Sequence, residues 1–258
     1  MPYKIKTVAK KSALEPEAIV SKSQDVLEQF YAHRRWVTLG VGLLLVIGLA
    51  WGGFAWFQAD QNRKARQLEY EASKEILGIS PTDENRQAQY EKVATLYQEL
   101  LTNYPRSSSA PFAQYQLGNS YFELKQYDKA IAAYQDFIRR YAHHETLQPM
   151  VYLRLGYAHL HQGDSQAALA DFDLVIKHPK AWNKDQAAYE TGRVYEKLGD
   201  KTAAIGKYES LIKEFPKSSW AREAQTRLKA LGVFQQPAPS AGESPPAMEG
   251  VPEKSEKR

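Results

Sequence analysis

One spacing pattern constrains this chain more than any other feature, because it occurs three times in the second half of the sequence. Its reference points are Gly118, Gly156 and Gly192, which are 38 and 36 residues apart. An alanine stands twelve residues after each glycine and an aromatic residue four residues further on; these are Ala130, Ala168 and Ala204, then Tyr134, Phe172 and Tyr208. A period of this length is typical of helical-hairpin repeats. We therefore predict an all-α fold of stacked hairpins, since one hairpin alone cannot bury its apolar face.

The residue types in the pattern predict how each hairpin closes. A glycine on the first helix and an alanine on the second allow the two helices to approach closely, and the aromatic ring fills the space beside them. Gly163 and Gly199 fall between the helices of the second and third units. A glycine at a helix end supplies the left-handed conformation that terminates the helix.

The pattern resembles the tetratricopeptide-repeat (TPR) family, whose motif is W-x2-L-G-x2-Y followed by A-x3-F and a late proline. The resemblance covers about residues 111–216, and the late proline is present as Pro179 and Pro216. The motif's leading tryptophan is replaced by Gln114, Tyr152 and Ala188, and the third unit has Thr191 where leucine is usual. The resemblance implies an α-α superhelix, a solenoid that binds other proteins.

The repeats lie inside a longer helical region, which we predict to extend over residues 60–232. Tyr104-Pro105 returns as Phe215-Pro216 after 111 residues, a distance equal to three units averaging 37. Proline ends one helix and the serines that follow cap the next. The predicted layout is an irregular hairpin at 60–104, TPR units at about 111–144, 149–180 and 185–218, a capping helix at 220–231 and a disordered, proline-rich tail at 233–258.

An uncharged run precedes the repeats and extends from Trp36 to Ala59. The 22 residues from Trp36 to Phe57 would measure about 33 Å as a helix, which matches a hydrocarbon core of about 30 Å. We predict a single transmembrane helix at 36–58, after a leader at 1–35. A cleaved signal peptide is the alternative, and the long apolar run and the polar leader both argue against it.

The charges beside the span predict its orientation. Within 20 residues there are three basic residues before it and four after it, so the positive-inside count does not decide. Arg34 and Arg35 lie directly against the span, however, and Asp60 is the first charged residue beyond it. We therefore expect a cytoplasmic leader, with the repeats on the other side of the membrane.

Composition and motifs argue against an enzyme, a metal site and a nucleic-acid-binding protein. The chain has no cysteine and a net charge of +4, without the basic stripe that nucleic acid requires. His159 and His161 lie two residues apart on a predicted helix, so they face different directions and cannot share a metal as an i, i+4 pair would. No phosphate loop, nucleophile elbow or HExxH motif occurs. We predict no enzymatic activity, no metal and no cofactor, and expect other proteins as partners.

The predicted binding surface is the groove lined by the first helix of each hairpin. In TPR proteins a few fixed positions of each repeat face this groove, and the resemblance assigns to it Phe112, Tyr115, Asn119, Phe122, Glu123, Met150, Leu153, Tyr157, Leu160, His161, Gln186, Tyr189, Arg193, Glu196 and Lys197. Aromatic side chains beside single polar groups suit a peptide-binding hot spot. The alternative is that the apolar members pack against neighbouring helices; for Tyr115, Tyr157 and Arg193 we favour binding.

The order of segments resembles a bacterial family that contains the ancillary subunit of the SecYEG translocon, with which the TPR domain of the Tol–Pal-associated cell-division coordinator is grouped. This resemblance implies an inner-membrane protein whose periplasmic scaffold contacts translocon subunits, chaperones or client polypeptides. A TPR factor in outer-membrane or envelope assembly, or in cell-division coordination, is the alternative. A mitochondrial-type import receptor with cytosolic repeats is more distant, since the lysine-rich carboxylate clamp is absent.

Overall fold

The computed structural model describes residues 34–80, 82 and 84–233, and every regular element in these ranges is an α-helix. The helices are α1 (Arg34–Gly78), α2 (Arg86–Asn103), α3 (Ala110–Glu123), α4 (Tyr127–Arg140), α5 (Gln148–Gln162), α6 (Ser165–Lys177), α7 (Lys184–Lys197), α8 (Lys201–Glu214) and α9 (Ser219–Ala230). The predicted all-α fold is confirmed. The predicted leader at 1–35 and the tail lie almost wholly outside the described residues.

Helix α1 holds both the uncharged run and the helix predicted after it. The sequence suggests a span at 36–58 and a separate helix from residue 60, whereas the structure has one uninterrupted helix of 45 residues. No proline or capping residue interrupts the chain between Phe57 and Asp60, so nothing ends the first helix there. The chain divides within α1, after Lys64, into two compact units.

The unit that ends at Lys64 contains the apolar part of α1. Its large side chains are exposed, for example Leu44 at 68 % and Leu49 at 77 %. Helix α1 is long and apolar enough to cross a membrane, and no residue of its most apolar stretch is buried.

The second unit is a row of hairpins whose core is divided into four clusters of buried side chains. In the first cluster, Ala65 and Ala72 of α1 pack with Val93 and Tyr97 of α2. The other three clusters are centred on the aromatic residues of the repeat pattern, and Tyr134, Phe172 and Tyr208 are each fully buried. The predicted contact between glycine and ring is confirmed in all three repeats, because a Cβ added to Gly118, Gly156 or Gly192 would lie 2.3–2.5 Å from the ring.

The first helix of each repeat ends in a left-handed residue. Gly163 has φ +87° and Gly199 has φ +80°, as the sequence predicts. The amide that follows Gly163 donates to the carbonyl of His159 at 2.9 Å, and the one that follows Gly199 donates to Tyr195 at 3.0 Å, which is the Schellman arrangement. In the first repeat the same position is Lys125, with φ 58°.

Serine capping is confirmed at one of its two predicted places. The side chain of Ser218 accepts from the amide of Trp220 at 3.0 Å and caps α9. The serines predicted to cap α3 are Ser107 and Ser108, but the residue at its N-cap is Ser109, which makes no side-chain capping bond because its backbone is already helical, with φ −81° and ψ −17°. A capping residue needs an extended backbone to direct its oxygen at the first amides of the helix.

Candidate functional site

Two clefts open on the surface that α3, α5 and α7 form, and we call them together the groove. The large cleft has a volume of about 640 Å³ and is lined by Tyr157, Leu160, His161, Glu190, Arg193, Val194, Glu196, Lys197 and Arg227. The small cleft has a volume of about 220 Å³ and is lined by Tyr115, Met150, Leu153, Arg154, Tyr157, Trp182, Asn183 and Gln186. Tyr157 belongs to both clefts, so they adjoin at its ring.

Tyr157 is held at this boundary by side chains of α7. Its hydroxyl donates to Glu190 at 3.1 Å and accepts from the amide nitrogen of Gln186 at 3.0 Å. Glu190 is buried, and burial raises its pKa although Arg193 lies 3.4 Å from its other oxygen. Burial also raises the pKa of Tyr157, which therefore stays neutral and can donate to Glu190 at physiological pH. The hydrogen bonds fix the ring between the two clefts.

The far wall of the large cleft depends on the capping helix. Arg227 of α9 reaches Glu196 of α7, with its Nε 3.0 Å from the carboxylate, and Tyr208 donates to the same carboxylate at 2.6 Å. Although burial opposes ionisation, these two donors hold the pKa of Glu196 below its usual value. The Glu196 side chain is therefore ionised, and its negative charge is paired with the positive charge of Arg227.

An aromatic group joins the first two repeats beside the groove. Phe122 of α3 lies edge-on to His161 of α5, with ring centroids 5.3 Å apart, and His161 stacks on Tyr127 at 4.8 Å. Arg154 lies over the ring of Phe122, with its Cζ 5.9 Å from the centroid. This cation–π contact positions the guanidinium of Arg154, but the Phe122 ring has no negative charge to neutralise it.

The structure divides the predicted groove residues into three groups. The large cleft is lined by Tyr157, Leu160, His161, Arg193, Glu196 and Lys197, and the small one by Tyr115, Met150, Leu153, Tyr157 and Gln186. Neither cleft is lined by Phe112, Asn119, Phe122, Glu123 or Tyr189.

Several of these residues contribute to packing. Tyr115, Leu153 and Tyr189 are buried, at 6 %, 7 % and 8 % exposure. Tyr189 lies between Tyr208 and Trp220, with centroid distances of 5.8 Å and 5.1 Å. The amide oxygen of Asn119 accepts from Tyr134 at 2.8 Å. A binding role for these side chains remains a prediction.

Sequence reasoning omitted six lining residues, namely Arg154, Trp182, Asn183, Glu190, Val194 and Arg227. Trp182 and Asn183 belong to the loop before α7, and Arg227 belongs to the capping helix. Fixed positions within a repeat cannot identify residues from these two places. The signal that could have indicated Trp182 is a single tryptophan in a predicted loop, and in the structure its side chain is 68 % exposed.

The stacked hairpins define a protein with the TPR fold. Solved structures support the fold. One is a tetratricopeptide repeat protein from Parabacteroides merdae, with a TM-score of 0.52 at 14 % identity over 66 % of this chain and 60 % of that one. The protein MamA has a TM-score of 0.50 at 19 % identity over 68 % of this chain and 85 % of that one.

The chain belongs to the family of outer membrane lipoproteins called YfiO, whose model matches residues 79–232. It is similar to the outer membrane protein assembly factor BamD of Neisseria gonorrhoeae, with 27 % identity over 169 residues and 65 % of this chain. BamD of Neisseria meningitidis serogroup A is equally similar. The alignment covers 56 % of the length of these relatives.

Proposed function

We propose that this chain is a membrane-anchored TPR scaffold that acts in outer-membrane protein assembly by binding partner polypeptides in the groove. The main support for this proposal is the extent of the family match. It covers residues 79–232, which include α2 to α9 and therefore both clefts. The relatives are named as outer membrane protein assembly factors. Their names favour the assembly alternative over a role beside the translocon, for which no comparison gives support.

We infer that α1 anchors this chain, although the family description names lipoproteins. A lipid attached through a thioether requires a cysteine, and this sequence has none. Helix α1 supplies an apolar segment of membrane-spanning length instead. We infer a single-pass protein of the bacterial inner membrane with a cytoplasmic N-terminus and periplasmic repeats, because Arg34 and Arg35 precede the apolar segment and Asp60 follows it.

Site-specific photocrosslinking in native membranes tests the groove. A photoreactive residue replaces Arg193, which is exposed in the large cleft, and in a matched variant it replaces Gln166, which is exposed on α6 outside both clefts. We expect the probe at 193 to capture outer-membrane proteins or their assembly partners, identified by mass spectrometry, and the probe at 166 to capture far less. Equal capture at both positions would reject the groove, and capture of translocon subunits alone would favour the translocon role.

A further inference from the structure

Arg154 is a cation of the small cleft, and none of the described carboxylates forms an ion pair with it. Its guanidinium has a hydrogen-bond contact with Tyr115, and Tyr134 and Glu123 are its other electrostatic neighbours. Burial raises the pKa of Tyr134, so its hydroxyl is neutral at physiological pH. Glu123 is engaged by Arg86 at 2.5 Å. Within the described ranges, Arg154 is thus a partly buried charge with no carboxylate in ion-pair contact, an arrangement that costs stability unless something else repays it.

The large cleft also contains a cation that is not neutralised. Arg193 faces Glu190, and Arg227 is engaged by Glu196, whereas Lys197 forms no ion pair within the part of the chain that the structure describes. Each cleft therefore has one positive charge left over, and the two are separated by Tyr157. The net field of the groove favours negative charge.

Asn183 adds an unpaired amide to the wall of the small cleft. Asn183 is 1 % exposed, and neither its Oδ1 nor its Nδ2 has a hydrogen-bond partner among the residues that the structure describes. A side-chain amide offers one acceptor and two donors, which match the N–H and C=O of a peptide backbone. Trp182 beside it is 68 % exposed, and Met150 also lines this cleft. A cation, an amide and apolar surface together are the elements that recognise an extended polypeptide.

Resting on the proposed function, we propose that the groove binds an extended, acidic segment of a partner protein, with a carboxylate on Arg154, a second acidic side chain near Lys197 and the backbone beside Asn183. Arg154 provides a planar, charge-assisted donor pair for the carboxylate. Its low exposure strengthens the contact relative to a surface ion pair. The two charges make the interaction depend on salt.

Binding of two labelled peptides to the full chain in detergent tests this proposal. One peptide repeats Glu-Pro-Ala, and the other repeats Gln-Pro-Ala with the same length and a neutral dye. We expect fluorescence anisotropy to show that the glutamate peptide binds about tenfold or more tightly than the glutamine peptide at low salt, and that high salt removes the difference. Equal affinity of the two peptides would overturn the proposal.

Matched variants locate the interaction. Arg154→Gln is expected to remove most of the preference for glutamate and Lys197→Gln part of it, whereas Lys207→Gln, an exposed position on α8 with the same charge change, leaves it intact. Arg154→Lys retains the charge and is expected to retain part of the preference, which keeps the test valid if Arg154→Gln does not fold. Equal losses in the Lys207 and Lys197 variants would show that only total charge matters and would overturn the site.

Asn183→Leu distinguishes a role of Asn183 in peptide binding from a role in folding alone. Removing a buried, unpaired amide is expected to raise the unfolding temperature of the free chain, while peptide affinity falls. A variant that gains stability without losing affinity would remove Asn183 from the site.

The source of the segment is tested with a chain that ends at Val233. The tail beyond it contains Glu243, Glu249, Glu253 and Glu256, so occupation of the groove by this tail is the competing outcome of the test. Peptide binding that occurs only after truncation would assign the groove to this chain's own tail and overturn the partner proposal. Failure with both peptides, combined with successful crosslinking at position 193, would reject the acidic segment but leave the proposed function standing.

Discussion

A carbon atom added to Gly156 would lie 2.5 Å from Cε1 of Phe172, closer than real side chains approach one another. The same contact occurs between Gly118 and Tyr134 and between Gly192 and Tyr208. These rings are fully buried and their hairpins close around them. At the residue scale, each repeat therefore depends on the absence of one methyl group.

Gly156→Ala tests this contact. We expect a loss of about 1–3 kcal/mol in the free energy of unfolding, because the ring or the helix must move. Gly206→Ala is the matched control, since a Cβ at this helical position meets nothing within 4 Å; it should stabilise the chain by about 0.5–1 kcal/mol. Urea unfolding followed by circular dichroism measures both values. Changes of the same sign in the two variants would contradict this account.

Lys125 carries a second residue-scale prediction. It is the one non-glycine residue with positive φ in the described chain, at a helix end where Gly163, Gly199 and Gly232 serve elsewhere. Left-handed backbone costs a residue with a Cβ about 1 kcal/mol or more. Lys125→Gly should raise the free energy of unfolding by about this amount, and Gly163→Ala should lower it similarly. A neutral or destabilising effect of Lys125→Gly would mean that the lysine side chain contributes contacts that offset the strain.

At the scale of elements, α5 and α6 are joined by a buried polar pair. The Nδ1 of His159 lies 2.7 Å from Asp171, and the two side chains are 15 % and 10 % exposed. Burial raises the pKa of Asp171 from 3.8 to about 6, although the hydrogen bond from His159 opposes the shift. This pair lies outside both clefts, so it concerns the stability of the second repeat.

The shift predicts how stability depends on pH. Because the folded pKa of Asp171 is above the unfolded one, the folded state keeps a proton that the unfolded state has lost, so this stability is present below the unfolded pKa and disappears as pH rises through about 6. Between about pH 4 and pH 7, wild type should lose on the order of 1–3 kcal/mol relative to Asp171→Asn. Urea titrations across this range measure the difference. Asp173→Asn, on the exposed side of α6, should show no such trend, and a parallel trend would assign it to other groups.

At the scale of the whole molecule, α1 combines an exposed apolar segment with the first helix of the hairpin array. We predict that the apolar segment inserts in a membrane. Leu44→Arg should then weaken membrane retention, because a central arginine costs about 2.5–3.5 kcal/mol on insertion scales. Leu77→Arg is the control, since Leu77 is 88 % exposed but lies beyond the charged part of α1. Retention after alkaline extraction is the measurement, and equal retention of wild type and Leu44→Arg would argue against a span.

Orientation gives the last prediction. Protease added to spheroplasts should digest the repeats while the leader stays protected, because Arg34 and Arg35 favour the cytoplasmic side. Antibodies to the two ends of the chain report the outcome. Repeats that survive until the membrane is broken would reverse the topology and support the import-receptor interpretation.

The sequence alone determined the repeated hairpins, their closing contacts and the glycines that end their first helices, and it located the long apolar run. These features follow from spacing along one or two helices, and the geometry of a helix is local. It did not determine that α1 runs without a break from the apolar segment into the first hairpin, because a missing helix-ending residue gives no positive signal in a sequence.

Only the tertiary structure decided which charged side chains of the groove are paired. Arg227 comes from the capping helix and Asn183 from a loop, while Glu190 neutralises Arg193 and nothing described neutralises Arg154. Such pairings depend on how successive hairpins rotate against one another, and that rotation is set by packing between repeats instead of by position within them.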